Sequence, residues 1–77
     1  MNKTLQISFY EIQKTLIGKS QFFEFLEMKF IASEDFYTKY LLFIKRKTDK
    51  KVFSCEIRLT KILDILKEEE SYTLIET

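Results

Sequence analysis

Apolar and polar residues alternate most clearly in the middle of the chain, where they predict an antiparallel hairpin. The segment FYTKYLLFIKR, residues 36–46, leads through a short polar loop into KVFSCEIRLT, residues 51–60. In the second segment apolar residues alternate with polar ones, so one strand face should be buried and the other wet; the inward set is Phe53, Cys55, Ile57 and Leu59. We predict paired strands at about 36–46 and 51–59.

A third strand is predicted upstream of this hairpin. The stretch QFFEFLEMKFI, at about 21–31, is rich in aromatic residues and places Glu27 and Lys29 between apolar neighbours, a composition typical of strands. The polar residues Ser33–Asp35 then favour a turn. The sequence therefore predicts an antiparallel meander of three or more strands.

The first residues fit two interpretations. Ser8 followed by Glu11 forms a capping box, and Gly18 stands where a left-handed residue ends a helix. These signals predict a short strand at about 3–7 and a helix at about 9–17. The alternative is a single helix over residues 4–17, because Leu5, Phe9, Ile12 and Leu16 also follow a helical period.

A second helix is predicted near the C-terminus. Thr60 can cap a helix at about 61–70, whose apolar stripe comprises Ile62, Leu63, Ile65 and Leu66. Glu68, Glu69 and Glu70 would then lie at its C-terminus, where negative charge opposes the helix dipole. The segment YTLIE is either a short last strand or a tail. The predicted fold is a single α+β domain over residues 1–77, with two helices on a small antiparallel sheet.

The central segment 36–46 is apolar on both faces. Tyr40, Leu42 and Ile44 occupy one face and Tyr37, Leu41 and Phe43 the other. If both helices cover the same face, the second set stays open and, with Phe25, forms a surface for a protein partner or a second copy. The alternative is that one helix covers each face.

The loop between the central strands predicts a different partner, single-stranded nucleic acid. The cations Lys45, Arg46, Lys47, Lys50 and Lys51 cluster at the hairpin tip, and Arg58 could extend them. Cations bind phosphates and aromatic residues on a sheet face stack with bases. A net charge of only +1 argues against a general polyanion binder, and basic tips also serve solubility.

Catalytic and cofactor chemistry find little support in the sequence. The chain lacks histidine, the usual general base near neutral pH, and its single glycine excludes a glycine-rich phosphate loop. The single cysteine, Cys55, falls on the inward side of its strand, where a small buried residue is the simpler interpretation. The carboxylates lack the spacing of a calcium loop. We therefore predict no enzymatic activity, no cofactor and no metal site.

Cysteine usage and hydropathy indicate a cytoplasmic protein that does not associate with membranes. One cysteine cannot form an internal disulfide, no signal peptide is evident, and the longest apolar run, Tyr40–Ile44, is too short to span a bilayer. Together these features predict a small non-enzymatic binding or regulatory protein, homodimeric through Tyr37, Leu41 and Phe43. An inhibitor encoded by a phage or mobile element fits this size and composition.

Overall fold

The computed structural model describes residues 3–62 and 64–77, which form one antiparallel sheet and one helix. The strands within these ranges are β1 (Thr4–Ser8), β2 (Phe23–Ser33), β3 (Tyr37–Arg46), β4 (Val52–Thr60) and β5 (Ser71–Glu76), and the helix is α1 (Phe9–Leu16). The strand order is β1-β5-β4-β3-β2, so β1 and β2 are the sheet edges. No helix in this part of the chain has the length and apolarity needed to cross a membrane.

The N-terminal segment is a strand followed by a helix, as its capping signals predict. The Ser8 Oγ accepts a hydrogen bond from the Glu11 N–H at 3.0 Å. At the other end Gly18 has φ +74°, and the N–H groups of Gly18 and Lys19 donate to the carbonyls of Thr15 and Lys14. These two bonds are the Schellman arrangement that ends a helix with a left-handed residue. The extended backbone of Ser8, together with the pairing of β1 with β5, excludes the single-helix alternative.

The predicted helix at about 61–70 is wrong, and with it the α+β class with two helices: the protein is mostly β. After β4 the chain turns back on itself, and the Thr60 N–H donates to the Asp64 carbonyl at 2.8 Å. Ile65 then bridges Leu59, and the Leu66 N–H donates to the Arg58 carbonyl at 2.8 Å. Leu63, one residue of the predicted stripe, lies outside the described residues.

The physical reason for this correction is the unpaired edge of β4. β5 pairs with β4 only at two positions, Phe53–Glu76 and Ser54–Ile75, and elsewhere follows β1. The backbone of β4 near Leu59 is therefore left for residues 65 and 66 to pair with, and buried backbone groups require such partners. The extended conformation also avoids a helix C-terminus at Glu68–Glu70, where the helix dipole would oppose the negative charges.

Helix α1 covers one face of the sheet and leaves the other open. Ile12 of α1 belongs to the buried cluster that contains Leu42, Ile44, Phe53 and Ile57. The prediction that one helix covers each face is excluded because the second helix does not form. Residues that alternate with the buried ones point away from α1, and their side chains are partly or fully exposed. We call this surface the open face; from β3 it takes Tyr37, Lys39, Leu41, Phe43 and Lys45.

Candidate functional site

The open face has an apolar centre built by the strand register. Residues paired on adjacent antiparallel strands share a face, so Phe43 lies between Glu27 of β2 and Ser54 of β4, and Leu41 lies between Lys29 and Glu56. Ser54 in turn pairs with Ile75, whose side chain is 43% exposed. Leu41 and Phe43 are each partly exposed. Two of the three predicted interface residues of β3, Leu41 and Phe43, thus lie next to each other on the open face.

Charged side chains of both signs surround this centre. Lys39 lies 3.6 Å from Glu56, Lys45 lies 3.9 Å from Glu24, and Lys29 lies 3.6 Å from Glu27. All of these carboxylates are about half exposed, and ion pairs in such positions contribute little to stability. The charges can therefore exchange partners when another molecule arrives.

Two cations lie over the aromatic rings of the open face. The Lys29 Nζ is 5.2 Å from the centroid of the Phe43 ring, and the Arg58 guanidinium is 5.2 Å from that of Tyr37. Arg58 is fixed by a hydrogen bond to Glu68, which raises the pKa of the guanidinium above its ordinary value. Tyr37 is therefore partly covered by a fixed side chain, whereas the Lys29 side chain over Phe43 is itself 65% exposed.

Phe25 does not join the other three predicted interface residues. It pairs with Ile44, a fully buried residue on the side of the sheet that α1 covers. Its ring is 39% exposed because β2 is an edge strand. The open face is therefore formed without Phe25, which belongs to the exposed flank of β2.

Most cations of the basic loop already have partners. Arg46 donates two hydrogen bonds to the Asp49 carboxylate, at 3.1 and 2.6 Å, and this interaction lowers the pKa of Asp49 to about 2. The Lys47 ammonium donates to the Ser20 carbonyl at 2.9 Å. Lys51 lies 3.9 Å from Glu76. The loop is a folded hairpin tip anchored to its surroundings, with Lys50 exposed at φ +64°.

Arg58 is not part of the basic loop. It pairs with Lys39 at the far end of β4, whereas the loop lies beyond the pairing of Lys45 with Val52. Along an extended strand, the six residue steps from Val52 to Arg58 correspond to roughly 20 Å. The cations predicted to bind nucleic acid are therefore divided between two ends of the hairpin.

The chemistry of Cys55 is that of a buried apolar position. Its side chain is 6% exposed, and burial raises the pKa of the thiol to about 11. A thiol with this pKa is protonated at neutral pH and is a poor nucleophile. Among residues 3–62 and 64–77 no three histidine, cysteine or acidic side chains converge as a metal-ligand set.

A feature that sequence reasoning missed is the exposed edge of β2. Ten exposed large apolar residues occur in the described chain, and four of them lie on this one strand: Phe25, Leu26, Phe30 and Ile31. They form two adjacent apolar pairs that interrupt the alternation of β2. The register of β2 against β3 shifts at these same two places. Two neighbouring apolar residues within an alternating strand were thus the available signal for β-bulges.

A groove of about 430 Å³ separates α1 from the chain that follows β4. Its lining surface is mainly apolar and includes Leu16, Ile17 and Ile65, together with the charged residues Lys19 and Asp64. None of the residues singled out from the sequence as binding candidates lines it. Comparison with protein-family models, with curated proteins and with solved structures finds no match to this chain.

Proposed function

We propose that this chain is a non-enzymatic binding protein that acts as a homodimer and holds a protein partner on the open face of its sheet. The observation that carries the proposal is the partly exposed apolar centre formed by Leu41 and Phe43, surrounded by charges of both signs. An apolar centre within a polar, charged rim is the usual anatomy of a protein-binding surface. The partner's complementary surface would offer an apolar side chain to Phe43 and opposite charges to Lys39 and Glu56.

A protein partner is favoured over nucleic acid by what the cations already contact. Arg46 and Lys47 hold the hairpin tip together, and Lys29 and Arg58 lie against the rings that bases would have to stack on. Nucleic acid would have to displace these contacts before it gained its own. A protein partner can instead contact these cations at the edge of the interface without displacing them from their present positions.

The proposal is tested by capture from the native host with tagged wild-type protein and with Phe43→Ser. We expect a protein to be retained by the wild type and lost with F43S, because the substitution removes the apolar centre of the open face. Phe36→Ser is the matched control, since Phe36 is 82% exposed in the turn between β2 and β3, seven residues before Phe43. Leu41→Ser provides a second variant, and far-UV circular dichroism checks that each one folds.

A protein retained equally by the wild type, F43S and L41S would show that the open face is not the docking surface. The same conclusion would follow if F36S removed the captured protein as effectively as F43S. Recovery of nucleic acid instead of protein would replace the proposal with the alternative prediction from the basic loop.

A further inference from the structure

The outer edge of β2 is a strand whose backbone has no neighbour on one side. It is eleven residues long, and within the described chain only β3 pairs with it. Such edges form hydrogen bonds with other strands unless the protein protects them. The two bulges of β2 give partial protection, at Phe25/Glu27 and Phe30/Ala32. Between them Glu27, Met28, Lys29 and Phe30 pair regularly with β3 and leave a flat stretch of edge.

This flat stretch is complementary to itself. In an antiparallel pairing centred on Met28, each Glu27 lies opposite Lys29 of the second copy, and the reverse pair forms by symmetry. Both residues lie on the open face, because they pair with Phe43 and Leu41. Their side chains are 55% and 65% exposed and only 3.6 Å apart within one chain. They can therefore pair across the dimer axis at little cost to the monomer.

Neighbouring registers do not offer this match. Centring the pair on Lys29 would place two lysines opposite each other, and centring it on Glu27 would place two glutamates opposite each other, which destabilises a cross-strand pair. Moving the two-fold axis by half a residue would pair Glu27 with Phe30. Their side chains lie on opposite faces of the sheet, so they cannot be cross-strand neighbours in this register. The charges thus select the register centred on Met28.

The exposed apolar residues of β2 fit the same arrangement. The Met28 register brings Leu26 of one copy close to Phe30 of the other, and Phe25 and Ile31 lie just beyond them at the two bulges. These four side chains are between 38% and 65% exposed in the monomer. Pairing of the two copies would shelter them, which supplies an apolar contribution beside the backbone hydrogen bonds.

We propose that two copies of this chain associate through the edge of β2, antiparallel and centred on Met28, into one continuous sheet of ten strands. The contact is two-fold symmetric and closed, as in most homodimers. It places both open faces on the same side of the joined sheet, with Leu41 and Phe43 of each copy one strand away from the seam. This inference rests on the proposed function. It places the self-association at β2 instead of the predicted contact through Tyr37, Leu41 and Phe43, and it leaves the open face for the protein partner.

Charge reversal with rescue tests this register. Sedimentation velocity of the wild type from micromolar to near-millimolar concentration should show a dimer. Glu27→Lys and Lys29→Glu should each raise the dimer dissociation constant by about tenfold, because either change makes two cross-strand pairs repulsive. The double variant E27K/K29E should recover wild-type dimerisation, since it only exchanges the two signs. Glu69→Lys, at an exposed position away from β2, is the control and should leave the dimer unchanged.

Mixing the two single variants gives the sharper result. E27K carries two cations and K29E two anions in the flat stretch. The mixture should therefore form a heterodimer with a lower dissociation constant than the homodimer of either variant. A dimer insensitive to both single substitutions, or a mixture that gains nothing over its components, would overturn the β2 assignment. A wild type that stays monomeric throughout would overturn self-association itself, and retention of a protein by the open face is scored separately with F43S.

Discussion

At the residue scale, Gly18 and Glu11 show how single residues end α1 and connect it to β2. Gly18 has the positive φ that its place after a helix requires, and an L-residue would be strained there even though a Cβ at this position would meet nothing within 4 Å. The Glu11 side chain departs from the expected capping box. It accepts a hydrogen bond from Ser20 and pairs with Lys14, so it connects α1 to the start of β2.

Ser20 shows how one buried polar residue organises a connection. Its hydroxyl accepts hydrogen bonds from the N–H groups of Phe22 and Phe23, and its carbonyl accepts one from Lys47. A residue that is 5% exposed needs such partners, since unpaired buried polar groups destabilise a fold. Ser20 thereby joins the end of α1 to the tip of the β3–β4 hairpin.

The Asp49 carboxylate provides a prediction at this scale. Its hydrogen bonds to Arg46 lower its pKa to about 2, so carboxyl-detected NMR should place its titration near pH 2. Because the pKa is lower in the folded state, the Arg46 contact stabilises the hairpin tip above the unfolded pKa of roughly 4. This contribution is lost as the pH falls from there through about 2. Arg46→Gln should return the Asp49 pKa toward its usual range, and a wild-type midpoint near 4 would contradict the paired geometry.

At the scale of elements, the alternation of β3 separates a buried face from an open one. Leu42 and Ile44 are fully buried, whereas Leu41 and Phe43 are partly exposed. The two adjacent leucines therefore occupy opposite environments on one strand. The difference in burial between Leu41 and Leu42 shows whether the open face contacts solvent, and it can be measured from the stability of variants.

Leu42→Ala should lower the free energy of unfolding by about 2–5 kcal/mol, the range for a buried leucine. Leu41→Ala should lower it by less than half as much, because part of the side chain already contacts water. Urea denaturation measures both, at a protein concentration low enough to exclude dimers, since association would add its own stabilisation. Equal losses for the two variants would mean that Leu41 is as buried as Leu42.

The segment after β4 illustrates where element prediction fails. Ile62, Ile65 and Leu66 follow a helical period, yet the chain over 64–66 pairs with β4 instead. Short apolar runs fit helices and strands alike, so the available partner decides between them. Here β5 leaves β4 after two residue pairs, and the vacated edge accepts Ile65 and Leu66.

At the scale of the whole molecule, charge segregation is compensated within the fold. Glu76 of β5 lies near Lys51, and Glu68 pairs with Arg58. The acidic C-terminal region thus meets the cations of β4 and its loop. One ion pair, Lys51 with Glu76, therefore links the basic loop to the acidic C-terminal region, and a second, Arg58 with Glu68, holds that region at the other end of β4.

This compensation predicts weak binding of single-stranded oligonucleotides. Four phosphate contacts by the loop would give a slope of about −2.8 in a plot of log affinity against log salt concentration. We expect a shallower slope and no binding near physiological salt, because Arg46, Lys47 and Lys51 already have partners. Fluorescence anisotropy with a labelled oligonucleotide measures this, and Lys50→Gln with Lys51→Gln tests the loop. A steep slope that these two substitutions reduce would favour nucleic-acid binding.

The sequence by itself determined what neighbouring residues decide. Ser8 and Gly18 set the ends of α1, and the alternation of β2, β3 and β4 placed those strands within two residues of their predicted ranges. It also put Leu41 and Phe43 on one face. Only the tertiary structure decided that residues 61–70 do not form a helix, that one face of the sheet stays open and that β2 is an edge. These features depend on which backbone groups remain unpaired after strands distant in the sequence have paired. The order of neighbouring residues does not determine which groups these are.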